Sequence, residues 1–374
     1  MKPNIVLAGS LAQVPGRGGH TWVFMQYLTG LRRLGFDVLF LDRLTRDMGD
    51  VDRGVAYLGD VMERFGFGDD FCLLGDGDEV LAGISRNDAI ARVRESLALI
   101  NVNGFLDDEQ LLEAARLRVY LDIDPGFGQM WKELGLADPF KGHDRFVTIA
   151  EKIGRPGCRV PECGLEWITT RPPVVLDLWR TRTAHGDAFT SVGSWRGPFD
   201  AVEFEGTSFG LRAHEFRKFF ELPRLTGERF ELALDIDDSD VTDLDLLTRT
   251  GWQLLNPEIV AGSPDDYQDF VSHSRAELMV AKNMYVETRG GWFSDRSACY
   301  LASGRPVIAE DTGLAGLYPL GDGLLTFNTV EAAAAAVDSV AERYAHHSRA
   351  ARDLAESELD SDHVLGALLE RVLN

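Results

Sequence analysis

The opening stretch, MKPNIVLAGSLAQVPGRGGHTWVFMQYLTGLRRLGFDVLFLD, leaves few folds open to the chain. Residues 5–8 (IVLA) form a short apolar run of the kind that fills a buried parallel strand. A loop follows, with glycines at Gly16, Gly18 and Gly19. Over residues 21–34 the apolar side chains recur at helical spacing, with Phe24, Leu28 and Leu31 on one face. Gly35 stands where such a helix ends. Residues 38–41 (VLFL) are a second apolar strand, ending at Asp42. Strand, glycine loop, helix and strand in that order build a parallel sheet through a right-handed crossover.

The same order recurs down the chain. Strands are legible at 98–103, 118–124 and 146–150 and, after a break, at 189–195, 230–236, 284–288 and 306–310. The paired prolines of TRPPVVL, 170–176, exclude helix there. RTRTAHGDA, 180–188, is polar and unpatterned and reads as a linker. The alanine-rich stretch 331–344 is helical by composition. The expected fold is therefore α/β, with two Rossmann-like halves in succession. One spans 1–180 and the other 181–350, and a final helix within 351–374 turns back toward the first half.

Charge excludes some partners. The chain has 374 residues and a formal net charge of −22, which disfavours nucleic acid and anionic membranes. No apolar run approaches the roughly 20 residues that span a bilayer, so neither a membrane role nor a secretory leader is expected and the place is cytoplasmic. The four cysteines, Cys72, Cys158, Cys163 and Cys299, show neither a disulfide framework nor a zinc spacing, so no metal site is expected.

An anion must then be met locally. RGGWFSDRS, 289–297, carries Gly290 and Gly291, a cap at Ser294, Asp295, and arginines Arg289 and Arg296. The helix it opens ends at Gly304, before Pro306. A helix N-terminus beside two glycines and two arginines is the outline of a phosphate or carboxylate site. The next strand exits into Asp311 and Thr312, at the carboxyl end where open α/β sheets bind ligands.

Here the residues carry a resemblance. GWFSDRSACYLASGRPVIAEDTG resembles the donor-binding segment of bacterial glycosyltransferases with the GT-B fold. GRGGHTWVFMQYLTGLRRLGFDVLFLD resembles the N-terminal glycine loop of the same enzymes, and FTSVGSW the Gly-Ser turn that begins their donor domain. The resemblance implies two Rossmann-like domains facing each other across a cleft that closes over a nucleotide-diphosphate sugar (UDP-, GDP- or dTDP-linked). It also implies transfer of a hexose without a metal or other cofactor. Where many retaining members carry two glutamates around the donor helix, this chain has Gly291 and Cys299. The ribose, the acceptor, the stereochemistry and the oligomeric state are not assigned by it.

Donor-site candidates are Gly193, Ser194, Arg275, Lys282, Arg289, Gly290, Gly291, Phe293, Ser294, Asp295, Arg296, Asp311 and Thr312. Trp292 and Phe293 either wall the base pocket or join the core. Catalytic candidates are His20, at the start of a helix whose dipole favours neutral imidazole, and Asp122 and Asp124, which alternate and so point the same way from one strand end. His346 and His347 read as bland residues on a solvent-facing helix. A nucleotide-sugar epimerase or hydrolase, and a non-catalytic partner of another transferase, stand as alternatives.

Overall fold

The computed structural model describes residues 2–182, 184–197 and 199–374. Of the expected linker, Thr183 lies outside the described residues. The first sheet holds β1 (Asn4–Gly9), β2 (Asp37–Arg43), β3 (Phe71–Leu74), β4 (Val80–Gly83), β5 (Ala98–Val102), β6 (Arg118–Asp122), β7 (Arg145–Thr148) and β8 (Trp167–Thr169). Their order is β4-β3-β2-β1-β5-β6-β7-β8, parallel except where β3 meets β4. The second sheet holds β9 (Ala188–Ser194), β12 (Arg229–Asp235), β13 (Trp252–Leu255), β14 (Ala276–Met279), β15 (Val307–Glu310) and β16 (Leu324–Phe327). Its order is β13-β12-β9-β14-β15-β16, parallel throughout. A two-stranded hairpin, β10 (Val202–Phe204) and β11 (Thr207–Phe209), stands apart from both.

Five helices carry or brace the junction between the sheets: α1 (Gly18–Arg33), α2 (Asn283–Thr288), α3 (Asp295–Ala302), α4 (Tyr344–Glu358) and α5 (Ser361–Leu373). The α1 face bearing Phe24, Leu28 and Leu31 is fully buried, as its spacing requires. The chain passes between the halves twice. On the way out, Val174 N–H donates to Leu359 O (2.8 Å), and on the way back Ser361 N–H donates to Val174 O (2.9 Å). Helix α5 then lies on α1, where Arg33 pairs with Asp362 and Asp177.

Three expectations are corrected. Residues 284–288 are not a strand. They lie within α2, and the strand is the preceding AELM, β14. Met284, Tyr285 and Thr288 are buried at helical spacing, so packing overrides the β-rich composition. His347 is not solvent-facing: it is fully buried, with Nδ1 accepting from Gly323 N–H (3.3 Å) and Nε2 3.1 Å from Ser339 Oγ. Asp122 and Asp124 do not point the same way, because β6 ends at Asp122 and the chain turns before Asp124.

Candidate functional site between the two sheets

The carboxyl ends of the two sheets meet. Asp124, beyond β6, accepts from Lys282 Nζ (2.7 Å) and from the Tyr285 hydroxyl, both beyond β14. Lys152 N–H, beyond β7, donates to Gly290 O (2.9 Å), and Arg159 N–H to Thr288 O (2.7 Å). Arg17, before α1, pairs with Asp235 at the end of β12.

Two guanidinium groups stand at the centre of this seam. Arg296, the second residue of α3, uses Nε on Glu277 and Nη1 on Val192 O (2.6 Å), which leaves Nη2 without a partner. Arg212, at the start of a short helix after the hairpin, lies across Gly193 at the end of β9. A Cβ at position 193 would sit 1.7 Å from Arg212 Nη1, so glycine there makes room for the guanidinium. Arg212 Nε is buried and unpartnered. Burial first, then the charge of Arg296, pushes Arg212 down to about 9, so both groups stay charged at neutral pH.

Other polar atoms are left open around them. Eleven buried side-chain polar atoms lack a partner among the described residues, and six belong to this seam: the oxygen or nitrogen atoms Tyr27 Oη, Arg212 Nε, Trp292 Nε1, Arg296 Nη2 and Ser297 Oγ, and the carboxylate acceptor Glu277 Oε2. Buried donors without acceptors are costly, and a ligand rich in oxygens would satisfy them. The N-terminus of α3 adds its partial positive charge, with Ser294 capping the N–H of Arg296 at 3.2 Å. Asp295 supplies the opposing charge. Burial pushes its carboxyl up to about 7, Asp124 adds to the rise, and Arg296 opposes it.

The remaining candidates divide between seam and scaffold. Lys282 is spent on Asp124. A Cβ at Gly290 would fall 3.1 Å from Val160 and 3.4 Å from Ala150 of the first half, and Gly291 N–H donates to Thr312 O (2.9 Å). Arg289 pairs with Asp311 (3.0 Å). Burial would raise the Asp311 carboxyl, but the N–H groups of Gly313 and Leu314, with Arg289, hold it below the usual range. Ser194 closes β9 opposite Asp235.

Several candidates are corrected by position. Arg275 lies at the amino end of β14, tied to Glu228 (2.8 Å) and Ala341 O, remote from the carboxyl ends. Phe293 is core, against Tyr318, and Trp292 stacks on Tyr285 at 3.9 Å. Thr312 is fully buried and donates to Trp292 O. Asp122 accepts from Gln129 and Thr148 at the β6 end and is only 2% exposed, so both hydrogen bonds hold it inside the first half.

The glycine loop does not approach an open site. Gly18 N–H donates to Ala261 O (2.8 Å) and a Cβ there would fall 2.1 Å from Ser263 O. Gly19 lies against Tyr267, and Gly16, at φ 82°, beside Arg53. His20 Nε2 lies 3.1 Å from Ser10 O. Burial is the main force that pushes its imidazole down to about 4, so it is neutral at pH 7. Arg212, Glu277, Tyr27 and Tyr285 also stand at the site and belong to no sequence motif. Of these only Glu277, a lone charge inside an apolar run, left a signal in the sequence.

Among the described residues, no group of three or more His, Cys, Asp or Glu is arranged to hold a metal ion. No helix among the described residues is long and apolar enough to cross a membrane.

No protein-family model and no curated protein matches the sequence. Solved structures do match in shape. An alpha-glucosyltransferase in complex with UDP and a 13-mer DNA aligns over 100% of both chains, at a TM-score of 0.60 and 10% identity. Anabaena HepE in complex with UDP-glucose aligns over 98% of both, at 0.62 and 12%. Sucrose-phosphate synthase from Thermosynechococcus elongatus aligns over 99% of both, at 0.55 and 12%. The likeness runs through both halves, and the fold is GT-B.

Proposed function

We propose that the protein is a glycosyltransferase that takes a hexose from a nucleotide-diphosphate sugar. The observation that carries this reading is the pair Arg212 and Arg296, whose guanidinium groups both lie at Val192–Gly193 near the end of β9, each with an unpartnered nitrogen, beside the start of α3. A leaving diphosphate develops negative charge, and two fixed guanidinium groups with a helix N-terminus stabilise that charge where it forms. These groups do what a divalent ion does in other transferases, so the reading is metal-independent, and chelator leaves turnover unchanged. The similar glucosyltransferase and HepE structures hold UDP or UDP-glucose, which makes UDP the first nucleotide to try.

The proton of the acceptor hydroxyl needs a base. His20 is the candidate, since its imidazole is neutral and, with Nε2–H directed to Ser10 O, its Nδ1 is free to accept. Asp124 holds the halves together through Lys282 and Tyr285. The acceptor is not nucleic acid in this reading, because a net charge of −22 repels it.

Calorimetric titration with UDP, GDP and dTDP tests the proposal. One of them binds, and Arg212→Ala weakens that binding about 10- to 100-fold, the worth of a charge-assisted hydrogen bond. Silence from all three nucleotides overturns it.

A further inference from the structure

Glu277 is a fully buried carboxylate in the middle of the second sheet, on β14 between Thr190 of β9 and Val307 of β15. Ionised side chains are rarely kept in such a place without a partner. Its partner is Arg296, which reaches back from α3 so that Nε donates to Glu277 Oε1. A second tether runs from Arg296 Nη1 to Val192 O (2.6 Å). With two of its nitrogens held, the planar guanidinium has one orientation, and Nη2 is the nitrogen left over.

We propose that Glu277 is a positioning residue for the donor diphosphate: it fixes the direction of Arg296 Nη2 and offsets one of the two guanidinium charges gathered at Val192–Gly193 near the end of β9. The proposal rests on the donor reading and adds to it a residue that touches no substrate. Arg212 and Arg296 repel each other, and the carboxylate beneath them brings the trio to a single net positive charge. That charge holds a diphosphate without trapping the nucleotide after transfer. Glu277 therefore carries two separable properties, its reach and its charge.

Two conservative variants pull these apart. Glu277→Gln keeps an acceptor at the same reach and removes the charge. Arg296 stays directed, its surroundings become more positive, and UDP binds roughly 3- to 30-fold tighter, the scale of one partly screened charge a few ångströms away. Glu277→Asp keeps the charge and shortens the reach by one methylene. Arg296 is drawn back, and UDP binds about tenfold more weakly. A merely structural ion pair lowers the melting temperature of both variants and leaves both affinities alone.

The experiment is calorimetric titration of UDP into the wild type and both variants, with melting temperatures measured without ligand. Tighter binding in Glu277→Gln together with weaker binding in Glu277→Asp supports the proposal, and the reversed pair of shifts overturns it. Affinities within twofold of wild type in both, or weakened in both, overturn it. If Glu277→Gln does not fold, Arg296→Lys alone and combined with Glu277→Asp replaces it. Losses that do not add support the proposal, and losses that add overturn it. If the wild type binds no nucleotide diphosphate, the donor reading is what fails, and inorganic pyrophosphate becomes the probe. Pyrophosphate binding that tightens in Glu277→Gln and weakens in Glu277→Asp then supports the role of Glu277, while any other result, including no binding, overturns it.

Discussion

At the scale of the residue, the visible part of the site was the part that is local. Arg296 stands in one short stretch with two glycines and a cap, so its chemistry is legible in the sequence. Arg212 shares no motif with it, and only the parallel order of β9 and β14 brings the two together. His20 was legible as a helix-start histidine, and its environment makes a pH prediction. Its folded value of about 4 lies below the ordinary 6.5. Between those two values the unfolded chain binds a proton that the folded chain does not, so stability falls as pH drops from about 6.5 to 4. Above 6.5 the residue adds no slope. Denaturant titrations at pH 7 and pH 4.5 should show this loss, and His20→Gln should reduce it by up to about 3 kcal/mol. An unchanged pH dependence in the variant means that the imidazole protonates freely in the fold.

Elements were legible where pattern and packing agree. The strands β1 and β2 and helix α1 bury what their spacing says they bury. β14 was hidden because Glu277 interrupts its apolar run, and the β-branched and aromatic content of the next segment drew the strand onto α2. The hairpin was hidden for a different reason. It belongs to the second half in sequence, yet Phe209 and Val202 are buried in the core that includes the first half. Arg159 of the first half lies over the Phe209 ring at 4.9 Å and donates to Thr207 Oγ1 at 2.9 Å. No local pattern encodes a strap that packs on the opposite half. Arg159→Ala removes both contacts at once, a loss of about 1–2 kcal/mol felt locally. Hydrogen exchange over Val202–Phe209 should quicken while β12 and β14 keep their protection. Unchanged exchange would place the hairpin's hold elsewhere, on the contact of Phe199 with Phe127 and Trp131.

Over the whole molecule, the halves are joined by contacts of unequal weight. Arg17–Asp235, Arg53–Glu258 and Arg64–Asp265 are all about half exposed, and such pairs contribute between nothing and about 1 kcal/mol each. The shielded ties matter more. Arg171 joins Glu151 of the first half, Glu358 of α4 and Leu317 O of the second half, with its guanidinium over the Tyr318 ring. The tightest approach is at Gly18, where backbone meets backbone and no side chain can yield. Gly18→Ala would place a methyl against Ser263 O, so the seam must open there by more than 1 Å to restore ordinary contact. The donor groups Arg212, Arg296 and α3 all belong to the second half, while His20 belongs to the first. Gly18→Ala should therefore leave UDP affinity within about threefold of wild type and cut turnover at least tenfold, because the base is carried away from a donor that still binds. Calorimetry and a sugar-transfer assay on the same preparation separate the two effects. Turnover that survives the substitution would mean that the closed seam is a resting arrangement and that transfer takes place in another one.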